Sequence, residues 1–246
     1  EKQRLENSKL KTTEFGIVNK LNHPDTKIIH SDQELSVGNF IYKEEYGVSG
    51  VGIWKHNTIP KRISYPLIKE PHLKRTFDFS TLIDGDKQFI YQNHIDDLFQ
   101  YKGTTVGLKF DYFKWYPEYL ENIKTIQKHY DSIKGPWSID SFLYLENTVE
   151  QVYCLSEINA RKTMGYITLK LQEFLFKKFK YTRLRIISNA KIQKNFNHSN
   201  VYENFDKKII PLSPHGNIFS VFLIAEDSLG ELNELEDELF ELLHSS

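Results

Sequence analysis

Two hydrophobic periods are mixed along this chain without strict alternation, and that mixture most constrains its fold. Leu120, Ile123, Ile126 and Tyr130 recur at helical spacing, as do Ile167, Leu171, Phe174 and Leu175 within Thr163 to Phe179. Short extended runs separate them: Phe40-Ile41-Tyr42, Val51 to Trp54, Pro66-Leu67-Ile68, Phe77 to Ile83, Ile139 to Leu145, Val152 to Ile158 and Phe219 to Ala225. Leu5, Leu10, Phe15, Val18 and Leu21 give an opening helix over residues 1–22, ended by His23-Pro24-Asp25. Leu232, Leu235, Leu239, Leu242 and Leu243 give a closing helix, with glutamates on its other face. The class is α+β.

The 246 residues are 39% hydrophobic and 26% charged, enough to bury a core and too apolar for bulk disorder. Thirty-two Lys and Arg against 33 Asp and Glu leave a net charge of -1, which removes the electrostatic footprint of a nucleic-acid or anionic-membrane coat. Any anionic ligand must be held locally. Mean hydropathy is -0.50, and no run of about 18 apolar residues suggests a spanning helix. A single cysteine, Cys154, excludes an internal disulfide and a cysteine-based zinc site; it suits a reducing, cytoplasmic setting and reads as a buried inert thiol. The nine histidines contain no HExxH. The start at Glu1, without an initiator methionine, reads as a truncation, with an upstream lobe missing.

Two constellations carry the chemistry. Lys43 stands at a strand end before Gly47, Ser49, Gly50 and Gly52, and glycine N–H groups with a nearby lysine can cradle a phosphate. Gly-Lys-Ser/Thr is absent and the loop leads into a strand, so this is no Walker loop. Asp140 lies seventeen residues before Glu157-Ile158-Asn159, on the strand expected beside it. Residues i and i+2 of a strand share a face, so three oxygen ligands gather there, as Mg²⁺ prefers. Elsewhere, Trp54, Trp115 and Trp137 read as core, the cluster Lys177, Lys178, Lys180, Arg183 and Arg185 as a solvated basic face, and Glu231 to Glu241 as a surface docking helix.

Glu157-Ile-Asn159-Ala-Arg161-Lys-Thr163-Met164-Gly165 resembles the E-I-N-x-R-x-T-M-G stretch of a branch of the ATP-grasp superfamily, and Gly135-Pro136-Trp-Ser-Ile-Asp140 resembles its G-P-x-x-x-D strand. Lys43 with Gly47-Val-Ser-Gly50-Val-Gly52 is similar to that family's phosphate-covering loop. Leu67-Ile68-Lys69-Glu70-Pro71 and Asp78-Phe79-Ser80 resemble its adenine and ribose strand. The motifs keep the family's order over residues 7–165.

The resemblance implies two α+β lobes enclosing a nucleotide cleft, with ATP and Mg²⁺ used to activate a carboxylate as an acyl phosphate and join it to an amine or similar nucleophile. It divides the chain into a helical lead-in at 1–30, a nucleotide-covering lobe at 31–100 and a metal-binding lobe at 101–246. Carried over, Lys9 of Asn7-Ser8-Lys9 and Lys43 bind nucleotide, and Gly47, Ser49, Gly50 and Gly52 cover phosphate. Lys69 and Glu70 face adenine, Asp78 meets the ribose, Asp140, Glu157 and Asn159 hold Mg²⁺, and Arg161 with Lys43 serves the transferred group. The implied partners are small-molecule or peptide acids and amines, with no nucleic acid and no membrane; a homodimer stays open. Glu44 and Glu45 replace small residues, proline or serine, and Val51 stands where relatives often have arginine. These departures keep a degenerate nucleotide-binding or assembly module in view, and a phosphotransferase, which would use the same ligands, stays open beside it.

Overall fold

The structure is a computed structural model that describes residues 6–47, 50–192, 201, 205, 207–213 and 218–244. The chain divides into two compact units. The first holds residues 1–90, 95–101 and 109–163; the second holds 91–94, 102–108 and 164–246.

The first unit opens with helix α1, Lys9–Val18, whose N-cap Ser8 accepts a hydrogen bond from the Lys11 N–H. The helix stops at Val18, short of the expected end at residue 22, and Leu5 of the expected run lies outside the described residues. Val18, placed on its inward face by the sequence, is 80% exposed, while Leu21 beyond the helix is buried. Four short strands follow: β1 (Lys27–Ile29), β2 (Phe40–Lys43), β3 (Ile53–Lys55) and β4 (Leu67–Pro71). They form an antiparallel sheet in the order β1-β4-β2-β3, so the glycine-rich stretch closes a β2–β3 hairpin. Ile29, Tyr42 and Leu67 form its apolar centre.

Three long strands form the rest of the unit's frame: β5 (Lys74–Asp84), β8 (Trp137–Glu146) and β9 (Val149–Asn159), side by side and antiparallel. Along β5, Phe79, Thr81 and Ile83 turn inward. They meet helix α2, Tyr116–His129, which has a proline in its first turn, Glu118 at its N-terminal end and Lys128 and His129 at its C-terminal end. Tyr119, Ile123 and Ile126 bury its stripe against Ile139, Leu143, Leu155 and Ile158. Each such side chain contributes about 1.5–3 kcal/mol by leaving water. Asp78 and Ser80, on the alternate positions of β5, are left to the opposite face. Trp137 is core and Trp115 and Trp54 pack against core clusters, as the sequence suggests.

The strands β6 (Lys87–Ile95) and β7 (Tyr101–Val106) escape the hydrophobic pattern. In the second unit β7 joins β10 (Tyr181–Ser188), β12 (Phe219–Glu226) and β11 (Ile209–Pro211) in the antiparallel order β11-β12-β10-β7. Helix α4, Leu229–His244, lays Leu232, Leu235, Leu239 and Leu243 on Ile187, Phe222 and Ile224.

Two expectations are corrected here. Arg183 and Arg185 belong to no solvated basic face: both pair with Glu236 of α4, and Arg183 and Glu236 are buried. Glu236 therefore lies on the inner side of a helix whose glutamates were all expected outside. Helix α3, Met164–Leu175, buries Gly165 and Thr168, whereas Phe174 is 82% exposed and Ile167 is 39% exposed. Of the apolar stripe read from the sequence, Leu171 packs against the buried cluster of Leu184 and Leu223, whereas Ile167, Phe174 and Leu175 are exposed. No helix among the described residues is long and apolar enough to cross a membrane.

Candidate functional site

The first unit brings the three predicted metal ligands together on one face of its long strands. In the β8–β9 ladder Asp140 is the direct partner of Glu157, and Ser138 of Asn159. Directly paired residues project to the same side, so Asp140, Glu157 and Asn159 converge. Ser80, the β5 partner of Asp140, donates to Asp140 Oδ1 at 2.7 Å. Asn159 Nδ2 donates to Asp140 Oδ2 at 2.9 Å, and Arg161 donates to Asn159 Oδ1 at 2.9 Å. Arg161 itself is exposed. These bonds form one continuous row from Ser80 to Arg161.

Two facing carboxylates repel, and burial disfavours their charged forms. Desolvation, then the Glu157 charge, pushes the Asp140 carboxyl up to about 7, against the opposing pull of Ser80, Asn159 and Arg161. Two carboxylates and an amide oxygen are hard donors, and repulsion between the carboxylates is what a divalent cation relieves. The donor set therefore fits Mg²⁺. Among the described residues no group of three or more His, Cys, Asp or Glu side chains gathers to hold a metal, so two carboxylates are the most any cation would meet here.

Lys9, buried at the start of α1, reaches this face. Its Nζ lies 3.1 Å from Glu157 Oε1 and donates to the Gly47 carbonyl at 2.7 Å. The ammonium thereby joins the carboxylate strand to the glycine loop. Gly47 has no room for a side chain, since a Cβ there would lie 2.2 Å from the Val51 carbonyl oxygen. Gly50 adopts φ +82°, and a Cβ would lie 2.7 Å from the Leu98 carbonyl oxygen. Ser49 lies outside the described residues.

The two acids that follow Lys43 are both accounted for. Glu45 Oε1 accepts from Ser8 Oγ at 2.6 Å, at the positive end of α1. Glu44 lies along Gly52, its Oε2 only 3.0 Å from where a Cβ on that glycine would stand.

Lys43 is buried in an ion pair with Glu70, 2.5 Å from Nζ to Oε2. Tyr153 donates to Glu70 Oε1 at 2.9 Å, and burial with the Glu70 charge raises its phenol. Lys69 is not brought to that face. Alternation along β4 turns it the other way, where it donates to Ser36 Oγ and lies 4.2 Å from the centre of the Phe40 ring. Asp78 accepts from Arg75 at 2.8 Å; burial raises its carboxyl and Arg75 partly offsets that. Arg75 in turn covers the Phe142 ring at 4.0 Å, which stacks on Tyr153 at 4.6 Å. Asp78 thus shares a face with Ser80 and, through Ser80, with the row that holds the carboxylate pair.

Sequence reasoning passed over Ser80, Tyr153, Asn7, Ser8 and Arg75 as contributors. Ser80 carried a readable signal, because it alternates with Asp78 on β5. Tyr153, whose hydroxyl also accepts from Asn22 Nδ2 at 3.0 Å, carried none, since its role depends on partners on two other segments, the connection before β1 and β4. Cys154 is the buried thiol expected, pushed up to about 11 by burial.

Solved structures share this arrangement of elements. They include carboxyaminoimidazole ribonucleotide synthase from Aspergillus clavatus complexed with ATP (TM-score 0.65, 11% identity, covering 97% of this chain and 73% of that one). N5-carboxyaminoimidazole synthase from the same organism, in complex with ADP and 5-aminoimidazole ribonucleotide, matches with TM-score 0.64 and 10% identity over 97% of this chain and 73% of that one. N5-carboxyaminoimidazole ribonucleotide synthetase from Thermus thermophilus matches with TM-score 0.68 and 11% identity over 98% of this chain and 73% of that one. No protein-family model and no curated protein matches the sequence. The chain has the α+β ATP-grasp fold.

Proposed function

We propose that this chain is an ATP- and Mg²⁺-dependent ligase that activates a carboxylate as an acyl phosphate and joins it to an amine or similar nucleophile. One observation carries the reading: Asp140 and Glu157 are direct cross-strand partners, with Asn159 and Arg161 bonded in line, on a fold shared with structures complexed with ATP and ADP. Asp140, Glu157 and Asn159 would hold Mg²⁺, which when bound supplies the positive charge that phosphoryl transfer requires.

The protein's own groups do the rest. Lys9 and Lys43 present ammonium charges to the phosphates, and the backbone of Gly47, Gly50 and Gly52 allows close approach. Exposed Arg161 faces the transferred group or the acyl phosphate. Phosphoryl transfer asks little covalent help of a protein, so positioning and charge suffice and no side-chain nucleophile is needed. Glu70 and Asp78 serve the base and sugar. Lys69, turned to the opposite face of β4, takes no part.

ADP release, measured across a panel of carboxylic acids and amines with ATP and Mg²⁺, tests the proposal. An acid- and amine-dependent release that Glu157→Gln abolishes, with the variant's melting curve close to the parent's, is the expected result. Turnover retained in that variant would refute the assignment, and a stable phosphorylated product in place of an amide would make the protein a phosphotransferase.

A further inference from the structure

Three consecutive residues ahead of and at the start of α1 each hold a different part of the candidate site. Asn7 Oδ1 accepts from the Ala160 N–H at 2.8 Å, next to Asn159. Ser8 Oγ donates to Glu45 Oε1 at 2.6 Å, and the Lys9 N–H donates to the Glu45 carbonyl at 3.2 Å. Lys9 Nζ bonds the Gly47 carbonyl and pairs with Glu157. The tripeptide thus contacts both Glu45 and Gly47 of the loop and Glu157 and Ala160 at the β9 end.

We propose that Asn7-Ser8-Lys9 is a clasp that fixes the glycine loop to the carboxylate-bearing strand, and that Glu45 is its positioning residue, setting the loop for a nucleotide phosphate. The Glu45 side chain supplies the acceptor that Ser8 needs, and a carboxylate at a helix N-terminus is favoured by the helix dipole. Ser8 at once caps α1 and reaches outward, so the helix end and the loop share one hydroxyl. This explains an acid that would otherwise sit badly beside an anionic ligand. The purpose of the loop rests on the nucleotide-site reading above; the clasp itself does not.

The test compares the parent with Glu45→Ala and Glu45→Gln, since Gln keeps an acceptor for Ser8 Oγ. Backbone amide exchange is measured without nucleotide over Lys43 to Gly52, with β8 and α2 as internal references, and ATP·Mg²⁺ is then titrated into each protein. We expect exchange in that stretch to rise about tenfold in Glu45→Ala and ATP affinity to fall about tenfold, both largely restored in Glu45→Gln, with unchanged exchange in β8 and α2. Parent-like exchange in Glu45→Ala overturns the clasp, as does an equal rise throughout the protein. Faster loop exchange with unchanged ATP affinity overturns the positioning role. A parent that binds no ATP refutes the proposed function, while the exchange result still decides the clasp.

Discussion

Asp140 stands directly opposite Glu157 on adjoining antiparallel strands, so two carboxylates share one face of the sheet. Like charges in that relation are destabilising unless something neutralises them. Lys9 serves Glu157; Asp140 is left with neutral donors from Ser80 and Asn159.

The metal-free protein should lose stability as pH rises toward 8. The folded-state Asp140 carboxyl sits at about 7, above its ordinary value of 3.8, so between those limits the native state binds more protons than the unfolded one. The stabilisation is present at low pH and is lost as pH rises through about 7. Urea midpoints measured with a chelator at pH 5.5 and pH 8 should show this fall, and Asp140→Asn should flatten it.

In the second unit the sign is opposite. His94 bonds Thr105 Oγ1, and burial together with the Arg185 and Arg183 charges lowers its imidazole to about 3. A depressed base is neutral in the fold, so its contribution is present above about 6.5 and lost as pH falls toward 3. His94→Gln should reduce the steepness of acid unfolding followed by circular dichroism over that range.

Glu236→Ala should destabilise the second unit by about 3–5 kcal/mol, because it strands the buried Arg183 guanidinium and removes the partner of Arg185. Replacing Arg183 and Glu236 together by apolar residues should cost much less. Urea unfolding of the single and double variants distinguishes a broken pair from a removed one.

Gly47→Ala should displace the loop, since its methyl would meet the Val51 carbonyl oxygen. A global cost of about 1–3 kcal/mol is expected, with a loss of ATP affinity larger than this destabilisation explains. Melting temperature and ATP titration, run on the same preparation, separate the two.

The carboxylate pair was legible in the sequence because everything that places it is local: two apolar strands joined by a short turn, and the period of two that sets Glu157 and Asn159 on one side. The α2 stripe was legible for the same reason. Strand β10 was not. Arg183 and Arg185 break its apolar pattern, and the group that makes their burial tolerable, Glu236, arrives fifty-three residues after Arg183. Strand β7 hid behind Gly103, Thr104 and Thr105, polar by composition yet buried. Phe174 misled in the other direction, since helical spacing alone does not say which stripe has a partner. Lys69 and Glu70 were read as neighbours facing one ligand, whereas strand alternation sends them to opposite sides. The Ser8–Glu45 bond spans thirty-seven residues and leaves no periodic trace.

The central claim is that Asp140 and Glu157 build a Mg²⁺-dependent ATP site, and calorimetric titration of ATP into the parent and Glu157→Gln, with Mg²⁺ and with chelator, tests it most directly. Saturable binding in the parent that requires Mg²⁺ and weakens at least about tenfold in the variant is the expected result. No heat of binding at millimolar ATP, or equal affinity in the parent and the variant, would contradict it.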